Sequence, residues 1–163
     1  MELKKRFNYR NAFIILYFVA LFAYVLIGLK PADAKNYDIT ASLRIPSIGM
    51  SSDVTSLQVQ DGKLNTPDYI AGSFSRAGNK TLLIGHSSTV FKNLHKINID
   101  EEIEYNSRTY VVSDLAILAK DQVDMGDILA EADNDTLVIM TCAGLSLGGG
   151  DSTHRLIVTA VLR

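Results

Sequence analysis

The chain of 163 residues has a single cysteine, Cys142, so no intrachain disulfide can form. The thiol is left with three fates: an intermolecular bridge, inert burial or reactivity. Clustered positive charge is lacking as well. Beyond Lys30 the chain holds 11 basic and 17 acidic residues, a net charge of -6. An acidic body excludes nucleic acid as the main partner, because binding the phosphate backbone needs grouped cations. No basic stripe interleaved with aromatics suggests single-strand binding either. There is no internal repeat and no low-complexity tract. No G-x-S-x-G elbow surrounds Ser87 or Ser88, which removes a serine nucleophile beside His86. Asp121, Asp124 and Asp127 are spaced D-x-x-D-x-x-D, which is not an EF-hand loop. They read as solvated loop charge.

One long apolar run is present. Ala12 to Leu29 reads AFIILYFVALFAYVLIGL without a charge. As a helix it rises about 27 Å, close to the ~30 Å of a bilayer core. Residues Met1 to Lys30 carry five Lys/Arg and one acid, a net +4. Lys4, Lys5, Arg6 and Arg10 precede the run, so the positive-inside tendency keeps the N-terminus in the cytoplasm and sends the rest outside. The segments expected are a cytoplasmic 1–11, a membrane anchor at 12–30, a linker at 31–40 and an extracellular domain at 41–163. Ala32 and Ala34 offer an A-x-A-like cleavage site as the alternative. The run is longer than a signal-peptide core, which favours the uncleaved anchor.

The remainder is a series of short strands. Apolar or alternating runs occur at Ser42–Ile45, Lys80–Gly85, Glu102–Tyr105, Thr109–Leu118, Leu137–Thr141 and Arg155–Leu162. Turn signals separate them, among them Asp61-Gly62, Pro67-Asp68 and Asn106-Ser107. Val90–Ile97 is expected to make one or two helical turns, with Phe91, Leu94 and Ile97 on one side. Six or more strands with so little helix predict a closed barrel or a sandwich.

The chemistry concentrates near the C-terminus. Cys142 is expected just past an apolar strand, followed by a Gly-rich loop, with Arg155 opening the next strand. A thiol and a guanidinium then meet at one mouth. An ordinary thiol, with a pKa of about 8.5, is only a few per cent thiolate at pH 7. It needs a neighbouring cation or base. A leaving amine must be protonated, which suits imidazole. Arginine cannot give up its proton, so its role is to hold a carbonyl or a developing oxyanion. The bland alternative for Arg155 is neutralising Asp151. Spacing leaves three histidines in competition. His86 ends a strand, His95 sits in the helical stretch, and His154 neighbours Arg155 but points to the opposite face of any shared strand.

From about Ser42 onward these residues resemble, in order, the sortase family. LRIPSIG at Leu43–Gly49 is similar to the family's L-x-I-P-x-I-x signature. LLIGHSS at Leu82–Ser88 is similar to the strand and turn that carry the catalytic histidine. VIMTC at Val138–Cys142 stands in place of T-L-x-T-C, with Val138 and Ile139 departing from the pattern. HRLIV at His154–Val158 stands in place of the arginine strand. The resemblance implies an eight-stranded barrel with short helices and an active site of His86, Cys142 and Arg155. It implies a cysteine transpeptidase of the Gram-positive cell surface. Such an enzyme cuts surface proteins at an LPXTG-like sorting signal through a thioacyl intermediate. It passes the acyl chain to an amine of a peptidoglycan precursor or a pilin lysine. No cofactor is expected, although calcium assists some class A members. No second hydrophobic segment is present, which points away from the pilus-polymerising class; the subclass is otherwise open. Two other readings share the site: a thiol hydrolase, and a non-catalytic binding or assembly module.

Overall fold

The computed structural model describes residues 37–75, 78–146 and 152–163. The expected membrane anchor lies outside the described residues. Among the latter, no helix is long and apolar enough to cross a membrane.

The strands are β1 (Ile39–Ile45), β2 (Met50–Ser56), β3 (Val59–Gln60), β4 (Lys63–Leu64), β5 (Ala71–Ser75), β6 (Lys80–Ile84), β7 (Glu102–Tyr105), β8 (Arg108–Ala119), β9 (Thr136–Ser146) and β10 (Ser152–Leu162). Eight of them close a barrel in the order β1-β2-β5-β6-β9-β10-β8-β7, and β7 returns to β1. The β2–β5 and β6–β9 pairs are parallel and the others antiparallel. The expected closed barrel of mixed strands is therefore present. All six runs read from the sequence fall on strands. β1 begins at Ile39, inside the segment taken for a linker, because its first residues pair with the end of β2.

Four strands were not read from the sequence. β2 (MSSDVTS) and β5 (AGSFS) lack an apolar run, yet Val54 and Ala71 on them are fully buried. Small and polar residues suffice there because neighbouring strands supply the bulk. β3 and β4 form a separate hairpin outside the barrel. Asp61 and Gly62 turn it with φ of 51° and 72°, and Asn106 and Ser107 turn β7 into β8 with φ of 47° and 63°. Both are two-residue turns whose twist matches the flanking strands.

Strand alternation divides the apolar residues into two cores. Leu43, Val54, Leu83, Leu137, Ile139 and Val158 point into the barrel. Leu82, Ile84, Val138 and Ile157 point outward and form a second cluster. That outer cluster is covered by Leu57 and Leu64 on one side and by Val123, Met125, Ile128 and Leu129 on the other. The expected helical stretch is instead a run of turns ending in a 3-10 turn at Leu94–Lys96. Phe91, Leu94 and Ile97 are buried in the inner core as expected. Their spacing of three fits three residues per turn, which the tighter helix supplies.

Candidate active site

The outer cluster ends in an open cavity of about 600 Å³, and His86, Cys142 and Arg155 all line it. Register explains the meeting. Arg155 on β10 is the direct partner of Cys142 on antiparallel β9. Opposed residues of such a pair project to the same face. Two residues away on each strand, Met140 and Ile157 are also partners, and both belong to the outer cluster. Cys142 and Arg155 therefore share that outward face. On the other side of β9, β6 runs parallel, with Ile84 opposite Met140. Continuing this register two residues past Ile84 sets His86 level with Cys142.

Two sequence expectations about this region need correction. Cys142 lies inside β9, which continues to Ser146, rather than past its end. Arg155 is the fourth residue of β10, not its first. The register between the two strands shifts by one residue near this point: Ser152 faces Ser146, whereas His154 faces Ala143. Gly144, with φ of 85°, takes the left-handed conformation that this bulge needs. Ser152 Oγ seals it by donating 2.7 Å to the Ala143 carbonyl. The thiol is thus held by a regular strand with a bulge beside it. Residues 147–151, including Asp151, lie outside the described residues.

The turn after β6 positions the histidine. The His86 carbonyl accepts from the N–H groups of Thr89 (3.3 Å) and Phe91 (3.0 Å). Gly85, just before it, is buried, and its carbonyl accepts 2.8 Å from the Thr141 hydroxyl on β9. This bond ties the end of β6 to the residue next to Cys142. The imidazole is half-buried, with Nε2 3.9 Å from an Asp68 carboxylate oxygen. Arg155 is half-buried too. Its Nη1 donates to the carbonyls of Ser152 (3.0 Å) and His154 (2.9 Å). The guanidinium is steadied by its own strand while its charge stays at the cavity wall. Cys142 is free and half-buried.

The other candidates lie elsewhere. His95 is exposed on the 3-10 turn, and Ser87 and Ser88 are exposed. His154 does not line the cavity; its Nδ1 is hydrogen-bonded to Thr153 Oγ1 at 2.7 Å. Asp124 caps the short helix Met125–Ile128, accepting 2.7 Å from the Gly126 N–H. Among the described residues no group of three or more His, Cys, Asp or Glu side chains could hold a metal ion.

Most of the cavity wall was not foreseen. Val59 and Leu64 of the outer hairpin line it, as do Met125 and Leu129 from the β8–β9 connection. The Asn79 carboxamide pins that connection, donating to the Ala132 carbonyl and accepting 3.1 Å from its N–H. The Asp61-Gly62 turn signal and the i, i+4 spacing of Met125 and Leu129 were the available clues. Together they build an apolar slot with a thiol, an imidazole and a guanidinium at its polar end. That arrangement suits an extended peptide with apolar side chains and one carbonyl to be attacked.

A family model described as Sortase domain matches residues 43–163. Comparison with curated proteins returns no match. Solved structures do match. A lid mutant of sortase A from Corynebacterium diphtheriae superimposes with a TM-score of 0.61 at 20% identity, covering 80% of this chain and 73% of that one. Sortase C-1 from Actinomyces oris gives 0.58 at 21% identity, with 85% and 78% covered. A Clostridium perfringens sortase D5 transpeptidase gives 0.58 at 22%, with 77% and 79% covered. At these identities the likeness is one of fold.

Proposed function

This chain belongs to the sortase family, and from that premise we propose that it is a membrane-anchored cysteine transpeptidase using Cys142, His86 and Arg155. The observation carrying this reading is the register match of Cys142 with Arg155 on one cavity wall, with His86 at the end of the adjoining strand. A solved structural relative is itself described as a transpeptidase. The apolar run at 12–29 supports the anchor, and the basic residues before it support an extracellular domain.

In this mechanism the Cys142 thiolate attacks the carbonyl carbon of an LPXTG-like sorting signal, at the bond before the glycine. The C–S bond forms and the carbonyl electrons move to oxygen, where the Arg155 guanidinium meets the developing charge. The C–N bond then breaks. Protonated His86 gives its proton to the leaving amine, and a thioester remains. An incoming amine, from a peptidoglycan precursor or a pilin lysine, adds to that thioester. Neutral His86 takes the amine proton, the C–S bond breaks, and the thiolate is regenerated. No step calls for a cofactor. The apolar wall of Val59, Leu64, Met125 and Leu129 receives the apolar residues of the signal.

The test is mass spectrometry of the full chain in detergent, incubated with an LPXTG-type peptide library and a glycine or diamine acceptor. A ligated product that vanishes in Cys142→Ala supports the proposal. Cleavage without ligation indicates a thiol hydrolase. Unmodified peptides throughout indicate a binding or assembly role.

A further inference from the structure

We propose that Asp68 is a positioning residue for His86, its carboxylate holding the imidazole in one orientation beside the cavity. This inference rests on the transpeptidase reading above.

His86 stands beyond the end of β6, on a turn rather than in a strand, and its side chain is 42% exposed. Packing alone therefore does not hold one ring orientation. Asp68 Oδ1 lies 3.9 Å from Nε2. The carboxylate is presented by an anchored segment. The chain leaves β4 at Leu64, passes Asp68 and enters β5 at Ala71. Thr89 Oγ1 donates 2.6 Å to the Asp68 carbonyl. Thr89 also belongs to the turn that folds onto the His86 carbonyl. Ala71 N–H donates 3.1 Å to Ser52 Oγ. The acid-bearing loop and the histidine-bearing turn are thus fastened to each other independently of the carboxylate.

The charges around the ring make the role specific. Cys142 from β9 and Arg155 from β10 line the same cavity, and no acidic residue among the described ones does. Asp68 is the acid that approaches the ring, from outside the cavity wall. At 3.9 Å the carboxylate draws the Nε2 edge of the ring towards itself, which leaves the Nδ1 edge for the reacting atoms. The imidazole is only half-buried and the Asp68 side chain is exposed, so the effect is modest, about threefold to fivefold in rate.

The test compares Asp68→Asn with Asp68→Glu in the full chain. The asparagine variant should lower kcat about threefold to fivefold with KM for the peptide nearly unchanged. Glutamate should restore most of the lost rate. Equal losses in the two variants would mean that the loop matters only structurally, and would overturn the proposal. A second readout does not need turnover. NMR can follow the imidazole signals of the three histidines, with His86 identified by its loss in His86→Gln. The His86 ring signals should move in Asp68→Asn and return in Asp68→Glu; unchanged signals in Asp68→Asn overturn the pairing. Moved signals in a protein whose wild type ligates no peptide support the pairing and refute the transpeptidase reading instead.

Discussion

Replacing Gly85 with alanine puts a methyl group where the turn carrying His86 has no room. The new Cβ would lie 2.5 Å from Val90 Cγ1 and 2.7 and 2.8 Å from two ring carbons of Phe91. Carbon atoms prefer about 3.5–4.0 Å. Neither side yields easily. Phe91 is 1% exposed and packed in the inner core, and its N–H is bonded to the His86 carbonyl. Gly85 itself is held by Thr141. Overpacking of this kind costs about 2–3 kcal/mol. The stiffer unfolded chain returns about 0.4–1 kcal/mol. The expected net loss is about 1–2.6 kcal/mol. With a urea m-value of about 2 kcal/mol/M, the midpoint falls by about 0.5–1.3 M. The same strain displaces His86, and about 1 Å of misplacement can cost about a hundredfold in rate. Equilibrium urea unfolding and peptide ligation measure the two effects. Adding Phe91→Leu should relieve part of the clash, giving a coupling of at least about 0.5 kcal/mol in a double-mutant cycle. Strict additivity together with full activity of Gly85→Ala would refute the reasoning.

Three further outcomes are expected. Thr141→Val removes the hydroxyl that donates to the Gly85 carbonyl and should cost about 1–3 kcal/mol by thermal or urea unfolding, whereas Thr141→Ser keeps the bond and most of the stability. Arg155→Lys replaces a planar fork by a point charge. It should lower kcat about a hundredfold with a smaller change in KM, as steady-state ligation kinetics would record. Hydrogen bonds from Ser47 and then Asn98 hold the Glu101 carboxyl below its usual 4.5. A depressed folded value stabilises above the unfolded value and is lost as pH falls through the folded one. Ser47→Ala should therefore be less stable than wild type at pH 7, with the gap closing as pH drops below about 4, and carboxyl NMR titration should show the Glu101 midpoint rising.

The legibility of this protein in its sequence follows the strength of local patterns. β6, β8, β9 and β10 announce themselves because their outward faces are also covered. Leu82, Ile84, Val138 and Ile157 are apolar on the side that an exposed sheet would leave polar, so the runs are nearly continuous. β2 and β5 carry few large side chains and pass for loop. The hairpin of β3 and β4 is two residues per strand, too short for any periodicity. The same contrast holds at the site. Cys142, His86 and Arg155 stand out as residue types suited to acyl transfer beside recognisable strands. Asp68, Val59 and Leu129 are ordinary residues in unremarkable segments.

Residue chemistry and alternation, which are local, determined that this chain would build a mainly β domain with a lone thiol near its last strands. Which histidine would join that thiol is not a local property. It depends on β6 lying parallel to β9 across a gap of more than fifty residues in sequence, and on Thr141 fastening the strand end. The pairing of Cys142 with Arg155 depends in turn on a bulge at Gly144 that sets the register of β9 against β10. A slip of one residue would turn one of the two side chains into the barrel. Registers between distant strands are settled by the simultaneous fit of both cores, and only the tertiary structure contains that fit.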